Sequence, residues 1–130
     1  TYMKILVPTS GIVPAQDSAK YVARVARSLS AEVLILHMHT APEPSEEGKR
    51  AVEELQDAVE AANSPAKAIF KPGDPLPGIV ETAKQEEVNL VVMGVSQGGL
   101  VQEWISSEIL HQSDIPVVVI PHALSSWKPA

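Results

Sequence analysis

Five short runs of apolar and largely β-branched residues recur along the chain, and segments with helical periodicity separate them. The runs cover residues 5–7, 33–36, 68–70, 90–93 and 117–120. Four of them are too continuously apolar for strands with one solvated face, whereas a parallel sheet covered by helices on both faces requires such runs. The sequence therefore predicts an α/β fold in which five strands alternate with four helices.

The ends of the helical segments carry residues that favour helix boundaries. Ser45 precedes two glutamates, which suit the positive end of a helix, and we expect this helix to end near Asn63. Asp74 places a capping carboxylate before Pro75, whose ring is preset for the first helical turn. The first and last helices each show one apolar side, formed by Ala19, Val22, Ala23 and Ala26 in the first and by Val101, Trp104, Ile105 and Ile109 in the last.

The composition limits the classes of function. With 130 residues, 45% of them hydrophobic, the chain is long enough for one domain with one core. The net charge of −6 and the scattered basic residues disfavour binding to nucleic acids or anionic membranes. Cysteine is absent, which excludes disulfides, thiolate metal ligands and thiol catalysis. No apolar run approaches the roughly 18 residues of a membrane span, so we expect a soluble intracellular domain.

A candidate ligand site lies where two strand-to-helix turns are expected to meet. In a doubly wound sheet, ligands bind beyond the carboxyl ends of the strands, where the winding reverses direction. If the strand order is 3-2-1-4-5, that point lies between strands 1 and 4, with the end of strand 2 beside it. The residues that would line this crevice are Pro8, Thr9, Ser10, His37, Gly94, Ser96, Gly98 and Gly99.

Five short motifs, taken in order, resemble the landmarks of the universal stress protein family. They are Lys-Ile-Leu-Val-Pro-Thr at 4–9, Leu-His at 36–37, Gly-Asp-Pro at 73–75, Asn-Leu-Val-Val-Met-Gly at 89–94 and Ile-Pro-Val-Val-Val-Ile at 115–120. The resemblance implies a single Rossmann-like domain over residues 1–121, with strand order 3-2-1-4-5, similar to adenine nucleotide alpha hydrolases. A tail at 122–130 would follow. It also implies a cytoplasmic stress-response role, dimerisation and, in one subgroup, binding of ATP or AMP.

The ATP-binding subgroup is marked by Gly-x2-Gly-x9-Gly-Ser/Thr after strand 4, and the chain departs from this motif. Gly94 fits the first glycine, but Gln97 occupies the position of the second. Ser10 stands where ATP binders of the family usually have an aspartate. The closing pair falls on Ser107 and Glu108 by literal counting, or on Glu103 and Trp104 when counted back from Pro116.

Either alignment places a carboxylate near the expected phosphates. Like-charge repulsion at ~4 Å costs about 1 kcal/mol in water and several times more when partly buried. Gly98 and Gly99 are therefore interpreted as a tight strand-to-helix turn rather than a triphosphate cradle. The chain is identified as a family member with a degenerate ATP motif, in which ATP or AMP binding is possible but disfavoured. A small polar or anionic ligand remains compatible with the crevice.

The remaining polar residues do not form a recognisable metal or catalytic set. His37 and His39 share one strand face, a spacing that suits a metal, but no third ligand is evident and packing is the favoured interpretation. No arrangement of nucleophile, base and oxyanion donors is defined by spacing. We therefore expect no metal and no catalytic activity, and a protein that acts by binding.

Strand 5 is the predicted surface for a homodimer. With the order 3-2-1-4-5 both strand 3 and strand 5 lie at sheet edges, and an unblunted edge favours association. Strand 3 carries Lys67 and Lys71, whereas the residues from 115 to 121 include no charge. The dimer interface is accordingly assigned to Val117, Val118, Val119 and Ile120, and a separate protein partner is the alternative.

Overall fold

A computed structural model describes residues 3–9, 12–94, 107–109 and 111–120, except for the side chains of residues 12–17. Within these ranges the elements are β1 (Met3–Pro8), α1 (Ile12–Leu29), β2 (Ala31–His39), α2 (Glu46–Ala61), β3 (Ala66–Pro72), α3 (Pro75–Gln85), β4 (Leu90–Gly94) and β5 (Val117–Ile120). Residues 107–109 and 111–112 are also helical.

The five strands form one parallel sheet in the order β3-β2-β1-β4-β5. This arrangement confirms the predicted fold class and strand order. A parallel sheet needs cover on both faces because its strands cannot be joined by short turns and its connecting helices pack on either side. The alternation of strands and helices along the chain therefore produces a central sheet with helices on both faces.

Two apolar clusters occupy the two faces of the sheet. One joins α1 and α2 to alternate strand residues such as Ile5 and Val33, and the other joins α3 to the residues that alternate with them, such as Leu6 and Leu34. The predicted apolar side of α1 is buried, and Lys20, Arg24 and Arg27 face outward as expected. Of the apolar residues predicted for the last helix, Ile109 is buried and the others lie outside the described residues.

The helix boundaries agree with the sequence at two places and differ at a third. Ser45 caps α2, since its Oγ accepts a hydrogen bond from Gly48 N at 3.0 Å. Asn63 follows α2 in the left-handed conformation, with φ of 62°. Asp74 occupies the N-cap position of α3, but its side chain makes no capping hydrogen bond. The usual donor at the third helical position is missing because Pro77 has no N–H.

The edge strands are less buried than the continuous apolar runs predicted. Val119 in β5 is 40% exposed and Phe70 in β3 is 39% exposed. Both strands have a sheet neighbour on one side only among the described residues, which accounts for the difference. No described helix combines the length and apolar character that crossing a membrane requires.

Leu55 provides a test of the core on the α2 side of the sheet. Its side chain is fully buried, whereas Leu29 at the end of α1 is 42% exposed. We expect Leu55→Ala to lower the free energy of unfolding by about 2–5 kcal/mol, because it removes buried methyl groups and leaves a cavity. Leu29→Ala should change it by less than about 0.5 kcal/mol. Urea denaturation followed by circular dichroism measures both, and equal effects would contradict the assigned core.

Candidate functional site

The sheet opens between β1 and β4 at their carboxyl ends. These strands pair only at Ile5 with Leu90 and at Leu6 with Val91, although β1 continues to Pro8 and β4 to Gly94. On its other side β1 pairs with β2 along its whole length, ending with Pro8 opposite Leu36. The strands therefore part at the predicted switch point, where Pro8 ends β1 and Gly94 ends β4.

Thr9 forms the first turn residue beyond β1 and is held there by its backbone. Its N–H donates to the carbonyl oxygen of Leu36 at 2.9 Å, and its own carbonyl oxygen lies 2.9 Å from His37 Nδ1. The Oγ1 atom of Thr9 is buried and has no hydrogen-bond partner among the described residues. A buried hydroxyl without a partner is costly, so among the described residues this atom is a candidate for a ligand contact.

His37 lies under the start of α2 and is only 5% exposed. Because a carbonyl oxygen only accepts hydrogen bonds, the contact with Thr9 places a proton on Nδ1. The ring also meets Phe70 in an edge-on contact with a centroid separation of 6.2 Å. These contacts make His37 a structural wall of the crevice and link the end of β2 to the turn after β1.

Gly48 allows α2 to approach His37 closely. A Cβ atom at this position would overlap the imidazole, with Cε1 at 2.6 Å and Cδ2 at 2.8 Å. The sequence analysis missed this contact. A glycine in the first turn of a helix is unfavourable for helix formation, and that mismatch is the signal which could have indicated a close approach.

The opposite face of β2 repeats the arrangement with different residues. Met38 points away from His37, and a Cβ atom on Gly78 in the first turns of α3 would collide with the Met38 side chain. Gly73, which precedes α3, has φ of +125° and packs near the same methionine. Two helix N-termini thus close over the end of β2, and the chain's own carboxylates, Glu46 and Glu47 on α2 and Asp74 before α3, lie at their positive dipole ends.

The geometry of the two histidines supports packing over metal ligation. Their rings stack at 6.4 Å, and both Nδ1 atoms are engaged with carbonyl oxygens, that of Thr9 for His37 and that of Ala41 for His39. The remaining nitrogen of His37 faces Gly48. Within the described part of the chain, no group of three metal-ligating side chains comes together.

Several residues predicted for the site fall outside the described ranges. They are Ser10, Ser96, Gly98 and Gly99 in the crevice, together with Gln97, Glu103 and Trp104 of the altered motif. Ser107 and Glu108 are described and lie within a helical turn, where the Glu108 carboxylate accepts a hydrogen bond from Gln112 at 3.3 Å. Of the crevice residues that are described, Thr9 and His37 are in direct contact, and Gly94 ends the neighbouring strand.

A second concave surface lies at the other end of the sheet. It encloses about 330 Å³ near the carboxyl ends of α1 and α2 and is lined by Arg27, Ser30, Ala31, Ala62, Asn63, Ser64 and Pro65. Helix carboxyl ends repel anions, whereas the Arg27 guanidinium attracts them, so this cavity has no consistent charge preference. The carboxyl edge of the sheet remains the better candidate for a ligand.

The fold is an open, doubly wound α/β domain in which the pairing of β1 with β4 stops short of their carboxyl ends. The family model for the universal stress protein family matches residues 1–121. The chain therefore belongs to the universal stress protein family. Among curated proteins, none matches the chain significantly.

Solved structures share the fold over nearly the whole chain. Hypothetical protein MJ0577 is 25% identical, with a TM-score of 0.76 over 93% of this chain and 96% of that chain. A universal stress protein from Archaeoglobus fulgidus in complex with dAMP is 17% identical, with a TM-score of 0.72 over 92% and 98%. A universal stress protein family protein from Arabidopsis thaliana with AMP bound is 19% identical, with a TM-score of 0.64 over 92% and 91%.

Substitution of Gly48 tests the wall of the crevice. Gly48→Ala gains about 1 kcal/mol in helix propensity but forces the added methyl group into the His37 ring, and such overpacking costs about 1–3 kcal/mol. Gly78→Ala is the matched control, because there the methyl group meets the flexible end of Met38. We expect Gly48→Ala to be the less stable variant in urea denaturation and to shift the NMR signals of His37. Equal stability of the two variants would show that the imidazole is not fixed as described.

Proposed function

We propose that the chain is a dimeric, non-enzymatic regulatory domain of the cytoplasm that binds a small polar ligand or a protein partner, without tight binding of ATP. The observation that carries the ligand part is the buried Oγ1 of Thr9, just beyond β1, which lacks a hydrogen-bond partner among the described residues. A ligand that donates a hydrogen bond to this atom would remove the cost of burying it.

The case against ATP rests on the residues that a triphosphate would meet. Gln97 and Ser10 replace residues of the ATP-binding subgroup, and both ways of aligning the rest of the motif bring a glutamate toward the phosphates. Repulsion of that carboxylate grows with each phosphate group, so a monophosphate suffers less than a triphosphate. The dAMP and AMP complexes of the structural relatives support the second candidate function, which is binding of a nucleoside monophosphate.

A binding role also fits the chemistry of the site. The His37 imidazole is hydrogen-bonded to the Thr9 carbonyl oxygen rather than to its hydroxyl, so it is not placed to activate Thr9 as a nucleophile. The other ring nitrogen faces Gly48 of α2. These contacts favour a site that recognises a ligand over a site that transforms one.

The proposed dimer joins two copies of β5. Val91 N donates to the carbonyl oxygen of Pro116 at 2.9 Å, and in a parallel ladder the backbone groups of Val118 and Ile120 then face β4 as well. The outward N–H and C=O groups belong to Val117 and Val119. The side chain of Ile120 is buried, so the exposed side chain of Val119 is the most accessible part of the predicted interface. Pairing around a two-fold axis would satisfy these groups in a closed assembly.

Calorimetry tests the proposed absence of tight ATP binding. We expect isothermal titration with Mg-ATP to show no dissociation constant tighter than about 100 μM, which corresponds to roughly −5.5 kcal/mol. AMP measured in parallel should bind more tightly than ATP if the second candidate function is correct. A low-micromolar constant for Mg-ATP, or ATP released from the purified protein on denaturation and detected by mass spectrometry, would refute the proposal.

Val119→Lys tests the dimer. The substitution brings two like charges together beside the axis, and an interface of the expected size, about 1,200–2,000 Å² in total, should not tolerate them. Leu29→Lys is the matched control, because Leu29 is 42% exposed and Val119 40%. We expect sedimentation equilibrium at tens of micromolar to show dimers for the unmodified chain and for the control, and monomers for Val119→Lys. A monomeric unmodified chain, or a Val119→Lys dimer of undiminished affinity, excludes this interface.

A further inference from the structure

The outer edge of β3 exposes a regular row of backbone hydrogen-bonding groups. Val33 N donates to the carbonyl oxygen of Pro65 at 2.9 Å, and Gly73 N donates to that of His39 at 2.9 Å, which fixes the orientation of the strand. In a parallel ladder the backbone groups of Lys67, Ile69 and Lys71 therefore face β2. Those of the alternate residues Ala66, Ala68 and Phe70 face outward, and no strand of the described chain pairs with them.

Little on β3 blocks this edge. Lysines commonly protect edge strands, but the amine of Lys71 is turned onto α3, where it donates to Thr82 Oγ1 at 3.0 Å and to Gln85 Oε1 at 3.2 Å. Lys67 is exposed on the same face of the sheet. The outward residues Ala66 and Ala68 carry only methyl groups, and Pro72 ends the row because it has no N–H. An unblunted row of three N–H groups is a template for a further strand.

We propose that the β3 edge binds an extended segment of another protein, which adds a sixth strand to the sheet. Strand addition is a common mode of peptide recognition in which backbone hydrogen bonds supply affinity and alternate side chains supply selectivity. On one face the segment packs against Phe70, which is 39% exposed, beside the small side chains of Ala66 and Ala68. On the other face it meets Lys67. The segment is therefore apolar on one side and carries a carboxylate on the other.

The occupant is a different chain rather than a second copy of this one. Two copies paired at β3 and again at β5 would extend the sheet without limit, because two self-complementary edges on one molecule generate a filament instead of a closed assembly. This step rests on the proposed β5 dimer. Within a symmetric β3 pair the two Lys67 side chains would also lie on one face within diagonal reach, which is unfavourable.

Proline substitution at an outward position separates strand addition from the folding of β3. Ala68→Pro removes an N–H that does not bond to β2, so the existing ladder remains, whereas the added strand loses a hydrogen bond and meets the ring. Ala66→Pro likewise removes an outward N–H and serves as the second variant. Circular dichroism confirms that each variant is folded.

The probe is a displayed library of random peptides of about seven residues, the length of β3, selected on the unmodified chain. We expect the selected peptides to alternate apolar and acidic residues. Their synthetic forms should lose about tenfold or more in affinity for Ala68→Pro. Lys67→Gln should weaken acidic peptides but not neutral ones. In hydrogen exchange by NMR, the amides of Ala66, Ala68 and Phe70 should exchange rapidly in the unliganded chain and become protected when peptide is added.

The opposite results overturn the proposal. In the first, none of the selected peptides binds more weakly to Ala68→Pro or Ala66→Pro than to the unmodified chain. In the second, the amides of residues 66, 68 and 70 are already protected from exchange in the chain alone. If Ala68→Pro has a lower mass than the unmodified chain in sedimentation equilibrium, the β3 edge pairs with a second copy of this chain. That result would exclude a segment of another protein as its partner. Because Val119→Lys alters only β5, its effect on mass reports on the proposed dimer independently of peptide binding at β3.

Discussion

Burial of both faces of a parallel sheet is the constraint on which the rest of this structure depends. The central residues of β2, from Val33 to Leu36, are almost completely inaccessible, and every backbone group along them is used by a neighbouring strand. Polar chemistry is therefore excluded from the middle of the sheet and restricted to its ends and edges. The crevice beside Thr9 and the open edges of β3 and β5 are the places where this constraint is relaxed.

The parts of the fold that depend on periodicity could be predicted from the sequence. Continuous apolar runs specify strands buried on both sides, and the inward side of α1 follows from the spacing of Ala19, Val22 and Ala26. The strand order came from the family resemblance, because periodicity alone does not determine which strands are neighbours. Ser45 was recognisable as a cap since its side chain and the N–H of Gly48 are local in the chain.

Features that depend on contacts between distant residues could not be predicted in the same way. The missing cap of Asp74 is an exception, because Pro77, whose lack of an N–H removes the donor, is local and could have been read from the sequence. The contact of Gly48 with His37 joins a helix to a strand. Its only signal in the sequence is a glycine at a helical position where glycine is unfavourable. Lys71 was expected to protect the β3 edge, but Thr82 provides a buried acceptor on α3 that draws its amine away.

His37 connects two of the surfaces at which binding is proposed, the crevice and the β3 edge. Its Nδ1 holds the carbonyl of Thr9 at the crevice, and its ring contacts Phe70 beside the β3 edge, while Gly48 closes over the remaining side. A side chain fixed by three neighbours loses little further freedom when a ligand arrives, so the wall of the crevice is preorganised and the entropy cost of binding is reduced. The same ring contacts Phe70, whose backbone N–H is one of the outward groups of β3. Both surfaces therefore depend on a single buried imidazole, although neither contacts the other.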